Sequence, residues 1–195
     1  PKMLAEYVQA GGVLVLSAES LRTNDDTDES LPPSAFWGAA PGNTINAPEP
    51  VVCAEATLPP IRAVKGSSTG TFGRGLSPQE AKTEVLARWA ASTPALTLYR
   101  QGKGKTYCVG PVLDSSGYRS LLTWICERET IRPALQIRAD RLDSLRYVEQ
   151  HLFARDGRWV IYLNNWGAKG EACVSAPFLP EGGYRVRDVE TGREL

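Results

Sequence analysis

The chain has 195 residues, 42% of them hydrophobic and 23% charged, the composition of a globular protein with one large domain or two small ones. Its 22 basic and 22 acidic side chains cancel and the basic ones form no run, which excludes the long-range field that would gather nucleic acid or an anionic membrane. The longest apolar run, Gly11 to Leu16, is far too short to span a bilayer, and no signal-peptide pattern opens the chain.

The sequence begins at Pro1, inside a helix-like pattern, and reads as a fragment of a longer polypeptide. Met3, Leu4, Tyr7 and Val8 form one apolar stripe on a helix over residues 2–10, which Gly11-Gly12 terminates. Val13 to Leu16 is a continuous apolar run, the pattern of a strand covered on both faces in a parallel sheet. Residues 20–33 are a polar surface loop. Ser34 to Ala39 reads as a short helix capped by Ser34 and carrying Phe36 and Trp37, and residues 42–50 as a second loop.

Val51–Leu58 and Ile61–Val64 are strand candidates separated by Pro59-Pro60. Residues 66–78, rich in Gly, Ser and Thr, read as a flexible connection. Glu84–Trp89 and Ala95–Arg100 are strands, and Gln101-Gly102-Lys103-Gly104 turns the chain into a return strand, Lys105–Val109. Ser115–Arg128 is a helix with Tyr118, Leu121, Leu122 and Ile125 inward. Beyond residue 135 the texture changes to short strands, Tyr147–Phe153, Trp159–Leu163, Ala172–Ala176 and Tyr184–Val189, punctuated by glycine turns. A boundary near residues 131–139 divides the chain into domains 1–134 and 135–195.

Few residues offer chemistry. Gly70 to Gly75 lacks the spacing of a dinucleotide fingerprint, and Gly102-Lys103-Gly104-Lys105 enters a strand where a P-loop would enter a helix. Asp25, Asp26, Asp28 and Glu29 lack the spacing of a calcium loop and read as solvated charges. Cys53, Cys108, Cys126 and Cys173 form no Cys-x-x-Cys pair, so they read as buried free thiols, which fits a reducing compartment such as the cytoplasm. No metal or cofactor is expected. His151, the single histidine, reads as a partly buried structural residue in a strand. Glu55, Glu84 and Glu149 are the candidates for paired carboxylates, with nothing to mark any two as partners. Among the five tryptophans, Trp89, Trp124 and Trp159 lie on core-like elements. Trp37 and Trp166 lie in loops and are the candidate sugar or interface contacts, although packing is the default role for each.

The stretch Leu4 to Leu16 resembles the helix–Gly-Gly–strand unit of class I glutamine amidotransferase-like domains. In active members that strand leads into an elbow bearing a cysteine; here Ser17-Ala18-Glu19 occupies the position, a vacant nucleophile elbow. Their His-x-Glu pair is also missing, since Leu152 and Phe153 follow His151. A closer likeness is to the amidotransferase-like domain of glycoside hydrolase family 42 β-galactosidases. It rests on the opening unit, on Glu84 to Trp89 followed by Pro94 to Arg100, Gly102-Lys103-Gly104 and Tyr107 to Gly110, and on the C-terminal stretches Val160 to Asn165, Tyr184 to Asp188 and Thr191 to Leu195. The resemblance implies an α/β fold: a partial flavodoxin-like or amidotransferase-like layer, with its first strands preceding Pro1, followed by a small antiparallel β-sandwich module. It also implies a non-catalytic accessory role, with the catalytic carboxylates on a barrel elsewhere and with that barrel and further copies of the chain as partners. The alternatives are a carbohydrate-binding β module and, last, a standalone hydrolase.

Overall fold

The computed structural model describes residues 2–18, 37–90, 92–132, 136–139, 148–155, 158–165, 172–177, 179, 182–185, 187 and 191–194. Its contacts divide the chain into two units, Pro1–Thr130 and Ile131–Leu195. The expected loop over 20–33, Ser34, Phe36, the acidic cluster and Asp156-Gly157 lie outside the described residues.

In the first unit, α1 (Lys2–Gln9) ends where the glycine pair predicts. Gly11 takes φ +118°, and the Gly11 and Gly12 amides donate to the carbonyls of Val8 and Tyr7, satisfying the last helical acceptors. The apolar stripe is shifted from the expected one. Val8 is buried and Leu4 and Ala5 pack inward, whereas Met3 and Tyr7 are exposed.

β1 (Val13–Ser17) joins a five-stranded sheet of order β1-β7-β6-β5-β3, with β3 at Val51–Cys53, β5 at Glu84–Trp89, β6 at Pro94–Gln101 and β7 at Gly104–Val109. Only β1 and β7 run parallel; every other pairing is antiparallel. The sheet is therefore mixed, where the apolar β1 run suggested a parallel one. Both faces are nevertheless covered. Val13 and Val15 pack with Tyr107 and Val109 into a core roofed by α2 (Ser115–Arg128), while Leu14 and Leu16 pack with Cys108, Trp37 and Leu76 on the other face. The strand period of two explains how one apolar run feeds two cores. Leu96 and Leu98 are fully buried, each contributing about 2 kcal/mol of transfer free energy.

The hairpin turn at Gly102-Lys103-Gly104 docks under α1. The amides of Lys103 and Lys105 donate to the carbonyls of Gln9 and Gly12, and any Cβ on Gly104 would meet the Val8 carbonyl oxygen. α2 starts at Asp114, whose Oδ1 accepts from the Gly117 amide at 2.7 Å. Leu121, Trp124 and Ile125 face inward; Leu122, expected there, is exposed.

Three glycine- and proline-rich expectations need correction. β2 (Ala39–Ile45) replaces the predicted end of a helix and the start of a loop, and it pairs antiparallel with β4 (Gly73–Pro78), which lies in the predicted flexible connection. Here glycine provides close approach. A Cβ on Gly42 would lie 3.2 Å from the Gly75 carbonyl oxygen, and the Arg74 amide donates to Gly110 O at 2.8 Å. Ile61–Val64 forms no strand; its Val64 amide donates to Val112 O at 2.9 Å outside any ladder.

The second unit contains two antiparallel pairs among its described residues: β8 (Gln136–Ala139) with β11 (Ala172–Ser175), and β9 (Val148–Arg155) with β10 (Arg158–Asn165). β8 falls in a stretch that the sequence offered only as a boundary. Of the strand expected over 184–189, Tyr184 and Arg185 lie outside any strand and Arg187 forms a single bridge with Glu194, while residues 186, 188 and 189 lie outside the described residues.

Candidate functional site

Ser17 is the last residue of β1, and Ala18 follows in a turn with its amide donated to Val109 O at 2.8 Å. Glu19 lies outside the described residues. Both described elbow residues line a half-open cavity of about 230 Å³ beyond the C-terminal ends of β1 and β7. The rest of its wall is Gly66–Thr69, Val109–Val112 and Tyr118. The described lining residues offer hydroxyl, apolar and backbone groups, and no histidine, cysteine, carboxylate or basic side chain is among them. Burial raises the Tyr118 pKa, so its phenol stays protonated and can donate.

The titratable groups converge elsewhere, around the C-terminal turn of α2. Arg128 pairs with Glu55 at 2.5 Å, approaches Glu84 at 3.9 Å and Glu129 at 4.0 Å, and lies over the Trp124 ring at 4.9 Å. Glu84 also faces Arg100 at 3.6 Å. Glu129, with its side chain 6% exposed, is ion-paired to Lys105 and accepts from the Tyr107 hydroxyl at 2.5 Å. Burial alone would push its carboxyl up, but the bonds from Lys105 and Tyr107 outweigh that and hold it below the ordinary 4.5. The Tyr107 hydroxyl is pushed the other way, by burial first and then by the Glu129 carboxylate. Two of the three carboxylates singled out in the sequence thus meet at one guanidinium, while Glu149 lies on β9 in the other unit. Arg128 and Glu129 were missed; the i, i+4 spacing of Trp124 and Arg128 was the available signal.

The remaining candidates change character. Trp37, placed on the surface by its loop context, is 3% exposed, and its carbonyl accepts from the Cys108 thiol at 3.6 Å. That burial removes it as a surface contact. Trp166 lies outside the described residues. Trp89 is buried as expected, its indole donating to Arg74 O at 3.1 Å, but Trp159 is 39% exposed and meets Tyr184 edge-on. His151, expected to be partly buried, is exposed beside Phe153 and Tyr162, with ring centroids 6.3 and 5.9 Å away. All four cysteines are free. Cys108 is buried and its thiol is pushed up to about 12 by that burial, whereas Cys173, read as buried, is exposed. Among the described residues no cluster of metal-ligating side chains occurs, and no helix is long and apolar enough to cross a membrane.

No family model matches the sequence, and no curated protein matches it significantly. Solved structures do. Gan42B, a GH42 β-galactosidase from G. stearothermophilus, matches 100% of this chain with a TM-score of 0.59 at 19% identity, and the chain covers 27% of it. The β-galactosidase from Rahnella sp. R3 matches 86% of the chain with a TM-score of 0.57 at 20% identity, and 25% of its own length is covered. For the β-galactosidase from Bacillus circulans sp. alkalophilus the values are 100%, 0.56, 20% and 28%. The chain therefore has the fold of one part of GH42 β-galactosidases, a β-rich architecture of mixed and antiparallel sheets, and spans only 25% to 28% of the length of these relatives.

Proposed function

We propose that this chain is a non-catalytic accessory region of a carbohydrate-processing enzyme of the β-galactosidase type. Residues 1–134 form an amidotransferase-like layer that has lost its nucleophile, and residues 135–195 form a small β module. The observation that carries the reading is the fold match over the whole chain to a part, 27%, of Gan42B.

The wall at the end of β1 supports the non-catalytic half of the reading. Acyl transfer needs a nucleophile beside a base, and among its described residues the Ser17-Ala18 wall supplies hydroxyls and no imidazole, thiol or carboxylate. Glycoside hydrolysis needs two carboxyl groups flanking an open sugar site, one of them holding its proton. Glu55, Glu84 and Glu129 are instead engaged by Arg128, Arg100 and Lys105. That arrangement locks α2 to the sheet. The chemistry then belongs to a barrel elsewhere in the enzyme, and this region contacts that barrel and further copies of itself, with Trp166 a proposed sugar or interface contact.

The parent polypeptide provides the test. Its remaining residues are expected to encode a sugar-hydrolase barrel. A neighbouring domain of any other kind overturns the reading.

A further inference from the structure

α2 ends in a conformation that a β-branched residue rarely adopts. Thr130, exposed and the last residue of the first unit, has φ +55°, in the left-handed region where a helix ordinarily places glycine. The turn is nevertheless closed: the Glu129 amide donates to Ile125 O at 2.9 Å and the Thr130 amide to Glu127 O at 3.1 Å. The residue beside the strain holds it in place. The Glu129 side chain, 6% exposed, is ion-paired to Lys105 and accepts from the Tyr107 hydroxyl. Those two partners lie two residues apart on β7, hence on one face of it.

We infer that Glu129 and Thr130 form a proton-operated latch: the ionised carboxylate clamps the strained last turn of α2 onto β7, and protonation lets that turn open while the sheet stays folded. Among the described residues, the charged and titratable groups facing Glu129 are Lys105 and Tyr107 from β7 and Arg128 from α2. Beyond them stand Glu55 and Glu84, both paired with Arg128, and Arg100 of β6, paired with Glu84. Protonation of Glu129 takes the counter-ion from Lys105 and weakens the bond from Tyr107. Arg128 keeps Glu55, Glu84 and the Trp124 ring, so the helix before it stays seated. The opening is therefore confined to residues 129 and 130. Thr130 biases it, because a turn that glycine would hold without strain costs threonine free energy for as long as it is closed. The bonds from Lys105 and Tyr107 hold the carboxyl below its ordinary 4.5, so the latch is closed above that value and opens as pH falls through the lowered one.

The test is amide hydrogen exchange of the full chain by NMR, read as protection relative to an unstructured peptide at each pH. On acidification below the ordinary carboxyl value, protection of the Glu129 and Thr130 amides should fall roughly tenfold or more, the size of a lost charge-assisted bond. The sheet amides of Trp89 and Gly110, which donate to Thr93 O and Ala95 O, should keep theirs over the same range. Glu129→Gln should abolish the pH step. Thr130→Gly should raise protection at both amides roughly three- to tenfold at every pH and leave the step in place. Lys105→Met, which removes the cation and keeps the carboxyl, should move the step to higher pH, and it serves as the test if Glu129→Gln does not fold. Loss of protection at residues 129 and 130 only together with Trp89 and Gly110 would overturn the latch. So would a step that survives Glu129→Gln, one that stays at the same pH in Lys105→Met, or one abolished by Glu55→Gln or Glu84→Gln alone. No gain in protection from Thr130→Gly would overturn the role of the strain.

Discussion

The two units treat their apolar residues differently. In Pro1–Thr130 the strands alternate into two cores, and Leu86, Trp89, Leu96, Leu98, Tyr107 and Val109 are each exposed by 1% or less. In Ile131–Leu195 no described residue is buried, and Phe153, Trp159, Ile161, Tyr162 and Leu163 are exposed by 39% to 61%. Both kinds of strand carry apolar residues, and only packing distinguishes them. A two-stranded ribbon is marginal alone in water. The first unit thus has the means to hold itself together, and the second, among its described residues, leaves its apolar strands exposed.

The sharpest way to break this comparison is truncation in each unit. Leu96→Ala should cost about 2–5 kcal/mol in urea unfolding, because a fully buried leucine leaves a cavity. Ile161→Ala, at 39% exposure, should cost under about 1 kcal/mol. Equal losses would erase the distinction.

Glycine gives the next contrast. Gly104→Ala drives a methyl into the Val8 carbonyl and should cost about 2 kcal/mol or more as the hairpin shifts off α1. Gly183→Ala meets nothing within 4 Å and should change stability by less than about 0.5 kcal/mol. Thermal unfolding of both variants reads the difference.

Glu129→Gln should cost about 1–3 kcal/mol, with the lower part of that range favoured because Lys105 keeps 27% of its side-chain exposure. The folded state holds the Glu129 carboxyl below its ordinary 4.5, so its contribution is complete above that value and is lost as pH falls through the lowered one. Stability should therefore fall more steeply in the native chain than in Glu129→Gln as pH drops below the ordinary carboxyl value of 4.5. Parallel slopes would remove Glu129 from the account.

The smallest effect is a labelling rate. Cys173, exposed, should react with a thiol reagent well before Cys108, which is buried with its thiol pushed up to about 12. Mass spectrometry of partially labelled protein checks the order.

These contrasts also separate what the sequence made legible from what it did not. The hairpin of β6 and β7 and the full extent of α2 follow from local signals, a Gly-Lys-Gly turn between apolar runs and a helical period. β2 and β4 do not. Their Pro41, Gly42, Gly73 and Gly75 carry loop propensities, and only the backbones they lie against make them strands. Trp37 misled for the same reason: a loop-like neighbourhood said surface, and the sheet face beneath it said core. Ser17 and Ala18 were legible as a position, but the cavity beside them was not, since its other wall comes from residues 66–69. The carboxylate cluster on Arg128 was half legible, as acids without their shared cation.

The proposal that this chain supplies structure and no bond-breaking chemistry is tested most directly by turnover. Purified chain incubated with an aryl-β-galactoside, and separately with glutamine, should release no aglycone and no ammonia above the uncatalysed rate. Release that scales with chain concentration and falls in Ser17→Ala would contradict the account and return the hydroxyl at the end of β1 to the role of nucleophile.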